Sequence, residues 1–457
     1  MRKLLGSTVT LALLLVASQG NAELLKNFKL GGQLDLQATA ARNVADFVTQ
    51  DLGTAGTQND RIGDVQTRVM LHADWDLLDD VHAKVTLSKN NRTWNGTPEN
   101  LDGVQTNVEV EQAYFKIDKL MGALDAMFGR QFYGKSGDMV AYFGPSDKAQ
   151  YGLPVTALDS ARFDWNGEHL GLTGVAGKVV ADATPGLATV SHTDLRGLVA
   201  ACKHTGVKAY VYNQVQHNTG ELGSDPGKND FLWVVGLKGK FEKWGGWIKG
   251  EAAKNFGEDR TMGAAGPSRN YMGWALMANA GYKADLGMAA LIPWVEYAVG
   301  SGDESANDNK NHAFQAINPD YRPGSIYGRF ATNSTVVLGQ GALTGAVASN
   351  SVSNRNIWGL GVKATPAMWN KLTAGLSYWD FRFQKRPLAA AAAGNRHIGS
   401  EVDLDLTWMH SENVSLSAGF ASFQPGGFIK TTNRDSGLPV RGTDPASLWY
   451  MDARLRF

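Results

Sequence analysis

Apolar and polar side chains alternate along most of the chain, in segments of about ten residues. In the first segment, Leu34 and Leu36 fall on one face while Gln33 and Asp35 fall on the other. A period of two predicts strands whose faces meet different environments. Eighteen such segments can be counted. They begin near Phe28, Asp64, Val81, Asn107, Leu124, Ala157, Leu170, Asp194, Val207, Asp230, Gly246, Tyr271, Met288, Asn356, Lys371, Gly399, Val414 and Ala446.

The connections between these segments alternate in length. Short turns, such as residues 78–80 and 119–123, alternate with long loops rich in Gly and Asn, such as residues 43–63 and 301–355. Short turns at one end and long loops at the other are typical of outer-membrane barrels. The pattern therefore predicts an all-β, transmembrane, antiparallel up-and-down β-barrel with short periplasmic turns and long extracellular loops. We expect 18 strands, with 16 as the alternative.

Proline and tryptophan positions agree with this arrangement. Of the 14 prolines, 12 fall in long loops, as expected if the strands reject residues without an N–H. Twelve of the 13 tryptophans lie near strand ends, which is the pattern of two interfacial girdles, and Trp294 is the exception. The alternative is that the tryptophans form the cores of soluble β-domains.

Both ends of the chain carry features of an exported barrel. Arg2 and Lys3 precede an apolar run and then small residues, which predicts a cleaved signal peptide over residues 1–22 and a barrel over residues 23–457. The first strand follows soon after this cleavage site, so a plug domain is not expected. The last strand alternates and stops on Phe457, which resembles the signal that barrel assembly machinery reads in the bacterial outer membrane. Partners would then be that machinery and outer-membrane lipid, including lipopolysaccharide.

Composition excludes several other classes. The chain has 44 basic and 44 acidic residues, one cysteine, and a mean hydropathy of −0.25. After the first residues there is no apolar run long enough for a membrane-spanning helix. The absence of a basic excess argues against nucleic acid as a partner. A single cysteine cannot form a disulfide framework.

A barrel of this width leaves an aqueous lumen, so passive transport is the expected function. Taken literally, the alternation places 13 basic side chains, Arg196 among them, and 13 acidic side chains in the lumen. The alternative interpretation is that most of these charges pair across strands and only line the wall. The candidate pore-lining residues are Arg68, Lys84, Arg130, Arg162, Lys249, Glu251, Glu401, Asp403 and Arg454.

Two positions do not fit a strict alternation. Arg130 falls on the face of Ala126 and Phe128, and an arginine facing lipid near the midplane costs roughly 2 to 4 kcal/mol. We therefore expect a bulge near Gly129, or a shift, that turns Arg130 into the lumen. A similar slip is expected near Glu111 and Gln112.

The longest loop, Ser301 to Arg355, leaves two questions open. It is long enough to fold inward and constrict the pore, and an external flap is the equal alternative. Asp303 and Asp308 supply oxygen ligands for Ca²⁺, but the spacing of a dedicated calcium loop is missing, so a solvated acidic loop is the simpler interpretation. No other metal site and no cofactor are expected.

Short motifs resemble one known family. The segments Glu111–Tyr114, Phe128–Gln131, Pro293–Asp303 and Ile398–Asp403 are similar to segments of the alginate-export family of outer-membrane channels. The resemblance implies an eighteen-stranded, monomeric barrel that exports an anionic polysaccharide. In such a barrel the pore is lined by basic side chains, and the positions expected here are Arg68, Arg130, Arg162 and Lys249.

Other functions remain open at this point. The same-class alternative is a substrate-specific or general diffusion porin for small solutes such as carboxylates or sugars. Different-class alternatives are a surface adhesin and a membrane-embedded hydrolase. His72 beside Asp74 and Asp76 is the only hint of hydrolysis, and lumen lining explains those residues better. The sequence therefore predicts a passive channel and no enzyme.

Overall fold

A computed structural model of the protein describes residues 26–44, 47, 49, 61–93, 108–145, 155–181, 191–218, 229–260, 268–304, 308–330, 351–386, 395–430 and 443–457. Eighteen long strands run antiparallel, and each is hydrogen-bonded to its neighbours in the sequence. The last strand also pairs with the first, so the sheet closes into a barrel. The prediction of an 18-stranded antiparallel barrel is confirmed, and the alternative of 16 strands is wrong.

In chain order the barrel strands are β1 (Lys26–Arg42), β2 (Ile62–Leu78), β3 (Val81–Thr93), β4 (Glu109–Leu120), β5 (Leu124–Gln131), β6 (Leu158–Asn166), β7 (Leu170–Ala181), β8 (Ser191–Cys202), β9 (Lys208–Asn218), β10 (Asp230–Lys243), β11 (Gly246–Asp259), β12 (Trp274–Tyr282), β13 (Ala289–Gly300), β14 (Arg355–Pro366), β15 (Leu372–Phe383), β16 (His397–Met409), β17 (Val414–Pro425) and β18 (Ala446–Arg456). Short strands also form at Arg269–Tyr271, Ala284–Asp285 and Lys310–Asn311. Helical turns occur at Tyr327–Phe330 and Ala367–Trp369. Among the described residues, every helix falls short of the length and apolar character needed to cross a membrane.

Both described chain ends lie at the short-turn end of the barrel. The backbone N–H of Gly32 donates to the carbonyl oxygen of Phe457 at 2.8 Å, and the reverse bond is 3.0 Å long. The turn between β10 and β11 needs only Trp244 and Gly245, with Gly245 at a positive φ of 81°. We call the half of the barrel near the short turns the lower half, and the half near the long loops the upper half.

The predicted slip near Glu111 is confirmed. Thr86 of β3 pairs with Gln112 of β4, but the next residue, Leu87, pairs with Val110. Glu111 is the extra residue of a bulge, and its side chain is fully buried. Without the bulge, Val110 would turn inward and the apolar outer face of β4 would be interrupted.

The outward face of the barrel is apolar and exposed. Leu237, Trp449 and Met451 are 57%, 60% and 66% exposed. Such contiguous apolar exposure suits a wall that lies in lipid. Trp233, Trp274, Trp358 and Trp449 form an upper girdle on this face. Trp379 departs from the predicted girdle, since it points inward and packs on Trp294 with ring centroids 5.3 Å apart.

The buried core of the protein lies inside the barrel, in its upper half. Inward side chains of the wall are fully buried there, including Leu195, Val234, Phe381, Phe423 and Leu448. They pack against segments of two long loops that enter the lumen. This arrangement places the candidate functional site at the level where the loops narrow the lumen.

Candidate functional site in the barrel lumen

Two segments of long loops fold into the upper lumen. We call residues 132–145 the first inner segment and residues 312–328 the second inner segment. Met139 and Phe143 of the first, and Phe314 and Ile326 of the second, are at most 1% exposed. Burial of four large apolar side chains stabilises the inward position by several kcal/mol, at about 2 kcal/mol for each. The described part of the Ser301 to Arg355 loop therefore folds inward rather than forming an external flap.

The two inner segments are joined to each other through Asp320. Its carboxylate accepts hydrogen bonds from Ser136 Oγ at 2.9 Å and from the Gly137 N–H at 3.2 Å. Arg322 Nε, from the same inner segment, donates to the same carboxylate at 2.8 Å. The N–H of Asp320 donates in turn to the carbonyl of Asp138 at 3.0 Å. These bonds make the two segments one connected constriction.

Glu401 on β16 holds the second inner segment to the wall. Its carboxylate accepts three consecutive backbone N–H groups, from Ser325 and Ile326 at 2.6 Å each and from Tyr327 at 3.0 Å. Three hydrogen bonds to one side chain fix the position of this stretch of backbone. Gly324 has a positive φ of 72°, and a Cβ there would lie 2.8 Å from Glu401 Oε2, so only glycine allows the close approach. Glu401 faces the lumen as predicted, but as an anchor rather than as an exposed lining residue.

Asp403 lies one inward position below Glu401 on β16. It accepts a hydrogen bond from Ser377 Oγ at 3.2 Å and is 3% exposed. Its burial keeps it away from solvent in the lumen, so it contributes to the support of the constriction.

Glu251 on β11 and its neighbours support the first inner segment. Glu251 is buried and accepts a hydrogen bond from Tyr210 Oη at 2.7 Å. Lys238 Nζ, on the neighbouring strand, lies 2.9 Å from Asp138 of the first inner segment. Tyr133 Oη and Tyr212 Oη are 3.0 Å apart and share a hydrogen bond. The wall on this side therefore binds the inner segment through polar contacts from three strands.

Tyr321 ties the second inner segment to the opposite wall. Its hydroxyl donates to Glu296 of β13 at 2.7 Å, and Asn279 Nδ2 donates to the other oxygen of the same carboxylate at 3.0 Å. Burial raises the pKa of Tyr321 well above its ordinary value, and the nearby Glu296 carboxylate raises it further. Tyr321 therefore remains a neutral donor at physiological pH.

Tyr327 is the aromatic contact between the second inner segment and the wall. Its ring stacks on Phe381 of β15 with centroids 4.0 Å apart and planes 12° from parallel. Its hydroxyl accepts a hydrogen bond from Arg355 Nε at 2.7 Å. Arg355 and Tyr321 belong to this site although the sequence did not single them out.

Arg68 and Arg454 lie at the seam where the barrel closes. Arg68 Nη2 is 2.7 Å from Asp35 Oδ2, and Arg454 Nε is 2.6 Å from Asp35 Oδ1. Arg68 and Asp35 are buried, at 1% and 0% exposure. The three residues face inward, but Arg68 is enclosed in an ion-paired cluster, so its main contribution is to hold β18, β1 and β2 together.

The lower lumen is lined by partly exposed ion pairs. Lys84 Nζ is 3.0 Å from Asp74 Oδ1, and Arg162 Nε is 2.8 Å from Asp164 Oδ2. His82 contacts a further carboxylate, Asp118, at 3.0 Å. A cavity of 590 Å³ at the short-turn end is lined in part by Asp74, His82, Lys84 and Asp118. Unlike the upper half, this part of the lumen keeps its charged side chains in contact with solvent.

Lys249 lies at an inward position of β11 in the lower lumen. It pairs in register with Lys240 on one side and with Asn279 on the other, and its side chain is exposed. Its role in conduction stays a prediction, as do the roles of the other candidate lining residues.

Arg130 requires a correction, because it does not turn into the lumen. Gly129 has a positive φ of 121°, but residues 126–130 pair with β4 without a register shift. Arg130 therefore shares the outward face of Phe128, near the upper end of β5. Its Nη1 is 3.1 Å from Asp159 Oδ2 on β6, and this ion pair replaces the bulge expected from the sequence.

Arg196 also faces outward, although strict alternation counted it among the lumen-facing basic residues. Its neighbours Leu195 and Gly197 point inward, where a Cβ at Gly197 would lie 2.5 Å from the Tyr212 ring. Leu195 faces inward here, where it belongs to the apolar cluster that also contains Met139 and Phe143 of the first inner segment. The rule of polar inside and apolar outside therefore reverses locally.

The candidate calcium loop is not assembled among the described residues. Asp303 lies 3.6 Å from Arg269 Nη1, and Asp308 Oδ1 accepts the N–H of Lys310 at 3.1 Å. Residues 305–307 lie outside the described residues. Within those described, no group of three or more acidic, histidine or cysteine side chains is arranged to hold a metal ion.

Comparison with solved structures identifies a different group of barrels from the one that the motifs resembled. OccK2 (OpdF) of Pseudomonas aeruginosa, solved in complex with glucuronate, is 12% identical, with a TM-score of 0.55 over 95% of this chain and 99% of that chain. OprD of the same organism is 11% identical, with a TM-score of 0.54 and coverage of 95% and 94%. A BenF-like porin from Pseudomonas fluorescens is 10% identical, with a TM-score of 0.53 and coverage of 95% and 100%.

These likenesses show the fold, which is that of outer-membrane porins. No family model matches the sequence, and no curated protein sequence matches it. The resemblance to alginate exporters was wrong, because the solved barrels that match nearly the whole length of this chain include OprD, OpdQ and OccK11, which are porins of the OprD and Occ type.

Proposed function

We propose that the protein is a passive diffusion channel for small water-soluble solutes in the outer membrane of a diderm bacterium. The observation that carries the proposal is the constriction. The joined inner segments narrow the upper lumen, while the lower lumen stays open and charged. A channel built this way selects by size and charge, and it needs neither catalytic turnover nor a cofactor.

The charges of the lower lumen suggest which small solutes to test first. Lys208, Lys249 and Lys363 have exposed side chains at inward positions of β9, β11 and β14. Asp452 lies at an inward position of β18, on the far side of the lumen from Lys208, and Asp405 lies at an inward position of β16, two strands from Lys363 in register. A solute with a carboxylate and several hydroxyl groups can interact with both walls. We therefore propose small carboxylates as substrates, and glucuronate as the first example, because one structural neighbour was solved with it.

The proposal can be tested with purified protein reconstituted into liposomes. We expect glucuronate and other small carboxylates to enter such liposomes faster than neutral sugars of equal size. Entry of all small solutes at equal rates would favour a general diffusion porin. Failure of every small solute to enter, together with no conductance in a planar bilayer, would contradict the channel proposal. Liposomes prepared with protein from the same purification after heat unfolding serve as the control for leakage.

A further inference from the structure

A groove lies on the outward face of β8, β9, β10 and β11. It has a volume of 640 Å³ and is lined mainly by apolar atoms. Ala200 and Ala209 lie side by side in register at its floor, because their small side chains leave a depression in the wall. Leu198 and Leu237 stand beside it and are 50% and 57% exposed. The depression has the shape and polarity that suit a hydrocarbon chain.

Two cations lie at the upper side of this groove. Arg196 is one outward position above Leu198 on β8. It pairs in register with Asn213 of β9, which pairs in turn with Trp233 of the upper girdle. Its side chain is exposed, and among the described residues it has no ion-pair or hydrogen-bond partner. Lys254 lines the groove on β11, level with Trp274, and donates a hydrogen bond to the carbonyl of Met272.

The other charges on this face are already paired with one another. Lys178 Nζ and His217 Nε2 both contact Asp194, at 2.6 Å and 3.0 Å. Arg130 contacts Asp159, as described above. Among the described residues Arg196 is thus a cation of this surface without a carboxylate partner, and its guanidinium can interact with a ligand from the membrane.

An outward arginine at the girdle is favourable when an anion from the membrane meets it. A guanidinium that faces lipid is costly, the cost grows from the interface to the midplane, and a phosphate offsets it. The long-loop end of an outer-membrane barrel lies in the outer leaflet. We propose that the groove binds lipopolysaccharide, with an acyl chain of lipid A over Ala200 and Ala209 and a phosphate on Arg196.

The test is binding of lipid A to the purified full-length protein, measured by native mass spectrometry in detergent. Arg196→Gln should weaken binding about tenfold, the size of one charge-assisted hydrogen bond. The matched control is Lys243→Gln, which removes an exposed cation at the short-turn end of β10 and should leave binding unchanged. Equal loss in both variants would overturn the proposal. Equal binding of dephosphorylated lipid A to the unchanged protein would overturn it as well.

A second variant tests the groove independently of the charge. Ala209→Phe fills the floor of the depression and should also weaken lipid A binding, while single-channel conductance stays at the level of the unchanged protein because the side chain faces lipid. Heat-modifiable gel mobility, which reports a closed barrel, confirms that each variant is folded. Folded Ala209→Phe protein that binds lipid A as well as the unchanged protein would contradict the groove as the binding site.

Discussion

The upper and lower halves of the lumen use the same barrel wall in opposite ways. In the upper half, inward positions hold buried apolar side chains such as Leu195, Phe381 and Leu448, because the inner segments pack against them. In the lower half, inward positions hold partly exposed ion pairs such as Lys84 with Asp74. The difference shows that loop insertion, rather than the strands alone, decides which side of the wall is polar.

Carboxylates also serve different purposes in the two halves. Glu401 and Asp320 accept backbone and side-chain hydrogen bonds that fix the inner segments. The lower carboxylates, such as Asp164, form ion pairs in contact with water. Exposed pairs contribute about 0 to 1 kcal/mol and are screened by salt, whereas buried acceptors are costly to remove. Changes in the upper half should therefore affect stability and pore size, and changes in the lower half should mainly affect ion selectivity.

The largest effect is expected for Glu401→Ala. Three backbone N–H groups of the second inner segment lose their acceptor, which should cost about 4 kcal/mol or more of unfolding free energy. The released segment should also leave the lumen, so single-channel conductance should rise severalfold and become noisy. Urea unfolding in detergent and planar-bilayer recording measure the two effects. Glu401→Gln, which keeps one acceptor oxygen, is the control, and its stability and conductance should lie between those of the unchanged protein and Glu401→Ala. Unchanged conductance in Glu401→Ala would contradict the anchoring role of Glu401.

Arg68→Gln should produce the next largest loss of stability. Breaking a buried ion pair costs about 3 to 5 kcal/mol, and we expect the lower value because Arg454 still neutralises Asp35. Urea unfolding again measures the change. Ion selectivity should stay the same, since Arg68 is 1% exposed. Arg162→Gln, which breaks a partly exposed pair, is the comparison and should cost less than about 1 kcal/mol.

A large change in ion selectivity with little loss of stability in Arg68→Gln would show that Arg68 faces the conducting path. Such a result would contradict the view that the Arg68 cluster only joins strands whereas the charges of the lower lumen contact the permeating ions.

Alkaline pH should loosen the constriction through Tyr321. Because burial raises its pKa above that of an unfolded tyrosine, near 10, the native state keeps the proton while the unfolded state loses it. Stability is therefore fully present below about pH 10 and falls above it, by up to about 1.4 kcal/mol for each pH unit. The free energy of unfolding should show this loss when it is measured between about pH 8 and about pH 11, a range that spans the pKa of an unfolded tyrosine. Tyr321→Phe should lack that part of the loss; an identical pH profile in both proteins would contradict the assignment.

Lys249→Glu should give the smallest effect, and on selectivity alone. The side chain is exposed in the lower lumen, and charges in a water-filled space interact with a passing ion by about 1 kcal/mol or less. The ratio of anion to cation permeability, measured from reversal potentials in a salt gradient, should fall by about twofold. Lys243→Glu, outside the lumen at the short-turn end, is the control. A loss of stability in Lys249→Glu comparable to that in Arg68→Gln would contradict an open lower lumen.

The sequence predicts the barrel well because its signal is local. Each of its signs depends on residues that are close in sequence: the alternation of period two, the short turns and the proline positions. The same signs recur along the chain from strand to strand. The bulge at Glu111 was also predictable, because two apolar runs on β4 differ in phase and only an extra residue reconciles them.

The constriction could not be predicted, because its contacts join residues distant in sequence. Glu401 meets the backbone of Tyr327, 74 residues away, and Tyr133 meets Tyr212, 79 residues away. The prediction that Arg196 faces the lumen was wrong for the same reason. At this point of β8 the apolar Leu195 faces inward, into the cluster that it shares with the inner segments, and Arg196 faces outward.

The most direct test of the account is to size the pore from each side with neutral polymers during single-channel recording. Because the constriction lies in the upper half, polymers added on the short-turn side should enter the lower lumen and reduce conductance at sizes that have no effect from the long-loop side. The Glu401→Ala variant should lose this asymmetry. An equal size limit from both sides of the unchanged protein would contradict a constriction in the upper half, and the absence of any conductance would contradict the channel itself.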